Sequence, residues 1–249
     1  MRYPFLEHNQ LVVIDYLPGS SGQLLMRLWS ECDARLDYDN SKVFADHTIS
    51  DHPASLEIDY DVVIPKSTVE WFLAQCEPQG TAHYLQFWEQ LATTLVAMRQ
   101  RWIHGTQSVK FYAHKHYELV NQRLIYGMHS KQHTMPWRDL CAAVPGLRPI
   151  KLIPQTAPGL VYQQARFQAC YPKPPHAMPS RTATIHSFNA AAQGTEIYDF
   201  CSALVNRDTI SIVQWLAQQL GPDLREHKLS RVTHILEQYY REIVDKLDV

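Results

Sequence analysis

Residues 11–29, LVVIDYLPGSSGQLLMRLW, limit most sharply what this chain can fold into. They open with Leu11, Val12, Val13 and Ile14, three of them β-branched, as expected of a strand buried on both faces. Pro18, Gly19, Ser20, Ser21 and Gly22 follow as a turn of small residues, and Gln23 leads out of it. Leu24, Leu25, Leu28 and Trp29 then recur at helical spacing. Strand, small-residue turn and helix in that order form an anion site. The first N–H groups of the helix have no partner within it, and its dipole adds partial positive charge at that end. The same order also occurs in α/β proteins whose turn binds nothing. The pattern GxxxxGK[ST] is not met, because Gly19 and Gly22 stand too close and no Lys follows Gly22.

If the opening unit is a βα unit, the rest of the chain must supply more strands and crossover helices. Residues 61–65 (DVVIP) read as a short strand stopped by Pro65. Ser67 reads as the N-cap of the next helix, with Glu70 completing a capping box. Residues 81–103 carry the longest helical pattern: Leu85, Trp88, Leu91, Ala92, Leu95, Val96 and Met98 fall near one face. Residues 108–116 (SVKFYAHKH) alternate as a strand, 117–124 read as a short helix and 127–134 as a loop. Pro136 opens a helix running to Val144, and residues 149–154 (PIKLIP) form a further strand. Residues 159–170 are helical, and 196–204 are a strand or an extended connection. Asn206 or Asp208 caps the following helix, and residues 230–247 make a last amphipathic one.

This alternation predicts an α/β fold of three layers, αβα, with a mainly parallel central sheet. Residues 1–249 read as a single domain. They include a polar excursion without clear period at 41–60 and a long irregular loop at about 171–194, where four prolines crowd residues 172–179. In such sheets ligands bind beyond the carboxyl ends of the strands. That places residues 18–22, 113–116 and 154–158 on one rim.

Composition narrows the function classes. A net charge of −2 argues against a general nucleic-acid binder. No run approaches the roughly 18 apolar residues of a membrane span, and the N-terminus lacks the apolar core of a secretory signal. Five cysteines, widely spaced and without a CxxC pair, read as reduced thiols of a cytoplasmic protein.

His114 and His116 stand two apart at the end of a predicted strand, on the same face. A His beside a phosphate-binding turn can take a proton from an acceptor hydroxyl, since its ordinary pKa lies near neutrality. The pair could also supply two metal ligands, though no third is identifiable, or simply end a strand at the surface. Tyr84, Trp88, Tyr112 and Trp137 could line an acceptor pocket or belong to the core.

With these pieces in place, the chain resembles the sulfotransferases, enzymes of the P-loop kinase-like fold that use 3′-phosphoadenosine-5′-phosphosulfate. LPGSSGQLLMRLW is similar to their 5′-phosphosulfate loop. VKFYAHKH is similar to their strand ending in Lys-Thr-His, which puts His114 at the catalytic base. PIKLIPQTAPGLVYQQARFQ resembles their strand and helix that bind the 3′-phosphate, with Gln155 and Gln163 at the binding positions. IYDFCSALVNRDTISIVQWLAQQLG resembles their C-terminal Tyr-Glu-Asp-Leu segment. The chain departs from the family where Gly19 replaces the loop cation and Gln155 replaces the 3′-phosphate Arg; the late Arg-Lys-Gly segment is absent. The resemblance implies sulfuryl transfer to a hydroxyl or amine of a small-molecule or glycan acceptor. His114 and His116 would be catalytic, residues Pro18, Gly19, Ser20, Ser21, Gly22, Gln23, Gln155 and Gln163 would bind the cofactor, and no metal would be needed. Lys115, Arg166 or Arg181 would then replace the missing cations. The alternative is a catalytically degenerate binding or scaffold protein of the same fold.

Overall fold

A computed structural model of the chain describes residues 2–17, 19–35, 44–45, 66–103, 123–128, 135–170 and 195–247. The short helix α1 (Pro4–His8) leads into β1 (Gln10–Tyr16) and α2 (Gly22–Cys32). Next come β2 (Phe44–Ala45), α3 (Lys66–Cys76) and α4 (Thr81–Ile103). They are followed by β3 (Arg123–Met128), α5 (Trp137–Ala143), β4 (Leu147–Leu152) and α6 (Ala157–Cys170). The chain closes with β5 (Glu196–Tyr198), α7 (Phe200–Val205), α8 (Thr209–Leu220) and α9 (Leu229–Glu242).

The described strands form one parallel sheet in the order β2-β3-β1-β4-β5. β1 lies at its centre, with Val13 opposite Tyr126 of β3 and Pro149 of β4. Because side chains alternate along a strand, β1 feeds two cores. Val12, Ile14 and Tyr16 pack with Leu25, Trp29, Tyr162, Phe200, Leu216 and Leu236, so α2 and α6–α9 cover that face. Leu11 and Val13 pack with Phe5, Leu73, Trp88, Trp137 and Leu140, so α1 and α3–α5 cover the other. The result is an α/β fold with helices on both faces of a parallel sheet. Each large side chain buried this way contributes about 1.5–3 kcal/mol.

Several boundaries differ from the sequence reading. Arg123 and Leu124 belong to a strand, not to a helix over 117–124, and the same strand takes Gly127 and Met128 from the expected loop. Arg123 explains the difference. It is 3% exposed, and its guanidinium donates to Asp33 Oδ2 at 2.6 Å, Asp223 Oδ2 at 2.9 Å and Gln10 Oε1 at 2.8 Å. The charge is buried and paired at the amino end of the sheet. Phe44 and Ala45, within the stretch without period, pair with Tyr126 and Gly127. α3 begins at Lys66, so Ser67 lies inside its first turn and not at its cap. Asp208, not Asn206, caps α8, its carboxylate accepting from Ser211 N at 3.0 Å. Residues 196–204 divide into a three-residue strand and a helix. The expected strands at 61–65 and 108–116 and the loop at 171–194 lie outside the described residues.

Candidate functional site

The carboxyl ends of β1, β4 and β5 open on one rim, because the three strands are adjacent and parallel. β1 leads into α2 on one face, whereas its neighbour β3 is followed by α5 on the other. Connections leaving to opposite faces mark the switch point at which open parallel sheets bind ligands.

At the end of β1 the chain turns through a Ser20 N to Leu17 O hydrogen bond of 3.0 Å. Gly19 then takes φ +87° and Ser21 the left-handed φ 55°, ψ 31°. Gly19 is required twice over. A Cβ there would overlap the Gln163 carbonyl oxygen and stand 3.0 Å from Phe167 N, and L residues avoid that φ. Gly22 is required once, since a Cβ would overlap the Tyr16 ring. Ser21 sits at the N-cap of α2, yet its side chain makes no capping bond. The Ser21 hydroxyl turns inward, 2.8 Å from both Tyr162 Oη and Tyr239 Oη, which are 2.8 Å from each other. Three hydroxyls in a ring can each donate once and accept once. Burial pushes the Tyr162 phenol well above its ordinary pKa, so it stays protonated and available as a donor. The ring holds a serine in a conformation that costs an L residue about 1–2 kcal/mol.

At the end of β4, residues 153–156 lead into α6. Asp199, one residue past β5, reaches across to them. Its Oδ2 accepts from Gln155 N at 2.8 Å, Thr156 N at 3.2 Å and Ser202 Oγ at 2.6 Å, and its Oδ1 accepts from Ser202 N at 3.1 Å. Thr156 Oγ1 bonds Ser202 Oγ and accepts from Gly159 N at 3.2 Å. One carboxylate therefore caps α7 and supplies negative charge where α6 begins. Behind the turns, on the α4–α5 side of the sheet, Asp15 and Lys151 are register partners 3.4 Å apart, at 0% and 1% exposure. Burial of both ions is tolerable because they neutralise each other.

The structure brings Gly19, Ser20, Ser21, Gly22 and Gln23 together at the β1–α2 turn, against Gln163 of α6, while Gln155 lies on the connection from β4 to α6. Gln163 meets this turn through its backbone carbonyl, and Gln155 places a backbone N–H, not its exposed side chain, on Asp199. Ser20 is fully buried with its hydroxyl toward the Cys201 thiol, whose pKa burial pushes up. Arg166, a candidate replacement cation, is buried. Tyr84, Trp88 and Trp137 belong to the core on the α4 side. They are too deeply packed to line an acceptor pocket. His114, His116, Pro18, Tyr112, Lys115 and Arg181 lie outside the described residues. Among the described residues no group of three or more His, Cys, Asp and Glu is placed to hold a metal ion, and no helix is long and apolar enough to cross a membrane.

No family model, curated protein or solved structure matches the chain. The rim geometry therefore carries the functional argument. The sequence reading missed Asp15, Lys151, Asp199, Tyr162 and Tyr239. A lone acid in VVIDY and a lone base in PIKLIP were the available signal for the first pair, since neither charge suits a buried strand without the other. Nothing local marks the other three.

Proposed function

We propose that this chain is a sulfotransferase-like protein of the P-loop kinase-like type that binds a phosphosulfate nucleotide at the β1–α2 turn. The observation that carries the reading is the turn itself. Gly19 and Ser21 take positive φ on the central strand's carboxyl end and lead into a helix whose N-cap side chain makes no capping hydrogen bond. The turn-bearing strand lies between β3 and β4 at the centre of the parallel sheet. In the reaction, an acceptor hydroxyl or amine gives its proton to a base, for which the resemblance offers His114, with His116 beside it. The acceptor's O–S or N–S bond forms as the S–O bond to the 5′-phosphate breaks, and the phosphorylated nucleoside leaves. 3′-Phosphoadenosine-5′-phosphosulfate is the donor implied by the resemblance. The turn would hold the 5′-phosphate through backbone N–H groups, which needs no metal ion.

A thermal-shift titration with AMP, ADP, adenosine 5′-phosphosulfate and adenosine 3′,5′-bisphosphate tests the reading. A ligand at about 100 times its Kd stabilises the fold by about 2.7 kcal/mol. Absence of stabilisation by all four compounds sinks the proposal. One observation favours a second reading, a binding or scaffold protein: the Ser21 hydroxyl is committed to Tyr162 and Tyr239 and not turned toward a ligand. Nucleotide binding without transfer from either phosphosulfate donor to hydroxyl and amine acceptors would select it.

A further inference from the structure

We infer that the seam between α2 and α9 is an anion site, in which Arg27 and Arg231 together take a phosphate or sulfate ion. The inference does not depend on a nucleotide at the β1–α2 turn. Helix α2 is buried on nearly every side; of its residues, Gln23, Arg27 and Glu31 are not, and they stand four apart on one stripe. α9 runs antiparallel beside that stripe. Ser21, before the first turn of α2, meets Tyr239 near the end of α9, and Glu31 in the last turn meets Arg231 near its start. Arg27 lies between those two contacts along the seam.

Arg27 is half-buried, and its Nε and Nη1 are buried without a hydrogen-bond partner among the described residues. Buried donors are nearly always satisfied, so two on one charged group call for an acceptor. Glu31, one turn on, has the spacing to supply it. Its carboxylate is engaged elsewhere: Oε2 lies 3.0 Å from Arg231 Nε, and the Glu31 side chain is only 9% exposed. Burial lowers the Arg27 pKa; Glu31 opposes that shift and the like charge of Arg231 adds to it, so the three charges act on one another. Both guanidinium groups keep their protons at neutral pH, which leaves the trio one positive charge in excess. One oxyanion balances that excess and brings the missing acceptors. The side chain of Arg231 is 59% exposed, so its donors outside the Glu31 contact are open to such an ion. Guanidinium forks match carboxylate and phosphate oxygens alike. A tetrahedral ion has more oxygens than a planar carboxylate and can serve both arginines at once.

Isothermal titration of the full chain with sodium phosphate, sodium sulfate and sodium acetate at fixed ionic strength tests the site. Phosphate and sulfate are expected to bind with a Kd of about 1 mM or tighter, and acetate about tenfold more weakly. Arg27→Met keeps the apolar stem and removes the fork, and Arg231→Gln removes the second cation. Each should weaken phosphate and sulfate binding about tenfold, the loss of one charge-assisted contact. In phosphate-free buffer, Arg27→Met should unfold in urea at the midpoint of the parent chain or above it, because it removes buried donors that lack acceptors. Phosphate and sulfate binding unchanged in both variants puts the ion elsewhere and overturns the inference. So does absence of binding by the parent chain, or acetate binding as tight as phosphate. A lower midpoint for Arg27→Met without phosphate, or failure of that variant to fold, overturns it as well, since Arg27 would then have its partner within the chain. AMP titrated into Arg231→Gln reports separately on the β1–α2 turn.

Discussion

Substituting Gly19 by Ala separates two contributions to the shape of the β1–α2 turn, because the fold contains its own control. Gly19 and Gly80 have nearly the same backbone φ, +87° and +82°. A Cβ on Gly80 meets nothing within 4 Å, whereas one on Gly19 overlaps the Gln163 carbonyl and comes within 3.0 Å of Phe167 N and 3.1 Å of Phe167 Cβ. Forcing an L residue into such a region costs about 1–3 kcal/mol. The stiffer unfolded chain returns about 0.4–1 kcal/mol of that. Gly80→Ala should therefore destabilise by about 1–2 kcal/mol. Gly19→Ala adds an overpacking term of about 1–3 kcal/mol, because its neighbour is the backbone of α6 and not the end of a flexible side chain. The difference between the two variants is the quantity to measure, by urea unfolding at pH 7 with the m-value held as a check that the unfolded state is unchanged. In thermal unfolding a gap of about 1–3 kcal/mol becomes roughly 2–12 °C for a chain of this size. Equal losses from the two substitutions would refute the argument that α6 clamps the turn.

Two further outcomes follow from buried groups. Asp33→Ala removes the carboxylate that receives Arg123 Nη1 at 2.6 Å and Trp29 Nε1 at 2.9 Å, leaving a guanidinium that is 3% exposed. Breaking a buried pair costs about 3–5 kcal/mol when the other charge is left alone; with Asp223 still accepting from Arg123 Nη2 at 2.9 Å the loss should fall at or below the lower end of that range, and a loss below about 1 kcal/mol in urea unfolding would contradict the assigned role. At alkaline pH the Tyr162 and Tyr198 phenols, raised chiefly by burial, keep their protons while the unfolded chain loses them near the ordinary value of 10. Stability that is fully present below pH 10 is thus lost as pH rises, by about 1.4 kcal/mol per unit for each phenol. Tyr162→Phe should flatten the slope by one such step between pH 10 and 11. Parallel curves for the two chains would show that Tyr162 titrates as freely folded as unfolded.

The parts of the fold that were legible in the sequence are those whose signal is local. β1 with its turn, α4 and α8 each announce themselves within a dozen or two residues, through apolar period or cap chemistry. β3 was illegible because its first residue is an arginine whose acceptors, Asp33 and Asp223, lie 90 and 100 residues away. β5 was legible only as the start of a strand or extended connection over 196–204, because three residues cannot display a period and a helix follows at once. The site divides the same way. The turn's glycines and serines were visible as a cluster, but nothing near Gln155 foretold that its N–H would be taken by a carboxylate 44 residues on. The Ser21 ring closes over still longer distances, to residues 141 and 218 positions away.

That last separation governs the order in which the molecule can acquire its rim. Strand β1, its turn and α2 are synthesised before the tyrosine that completes the hydroxyl ring, which sits on α9, residues Leu229–Glu242. Contacts this distant in sequence form late and slowly, since a long loop must close before they return anything. Until α9 docks, Ser21 has no second phenol to hold it in its left-handed conformation. On the proposed reading, nucleotide affinity at the β1–α2 turn would report that α9 has docked.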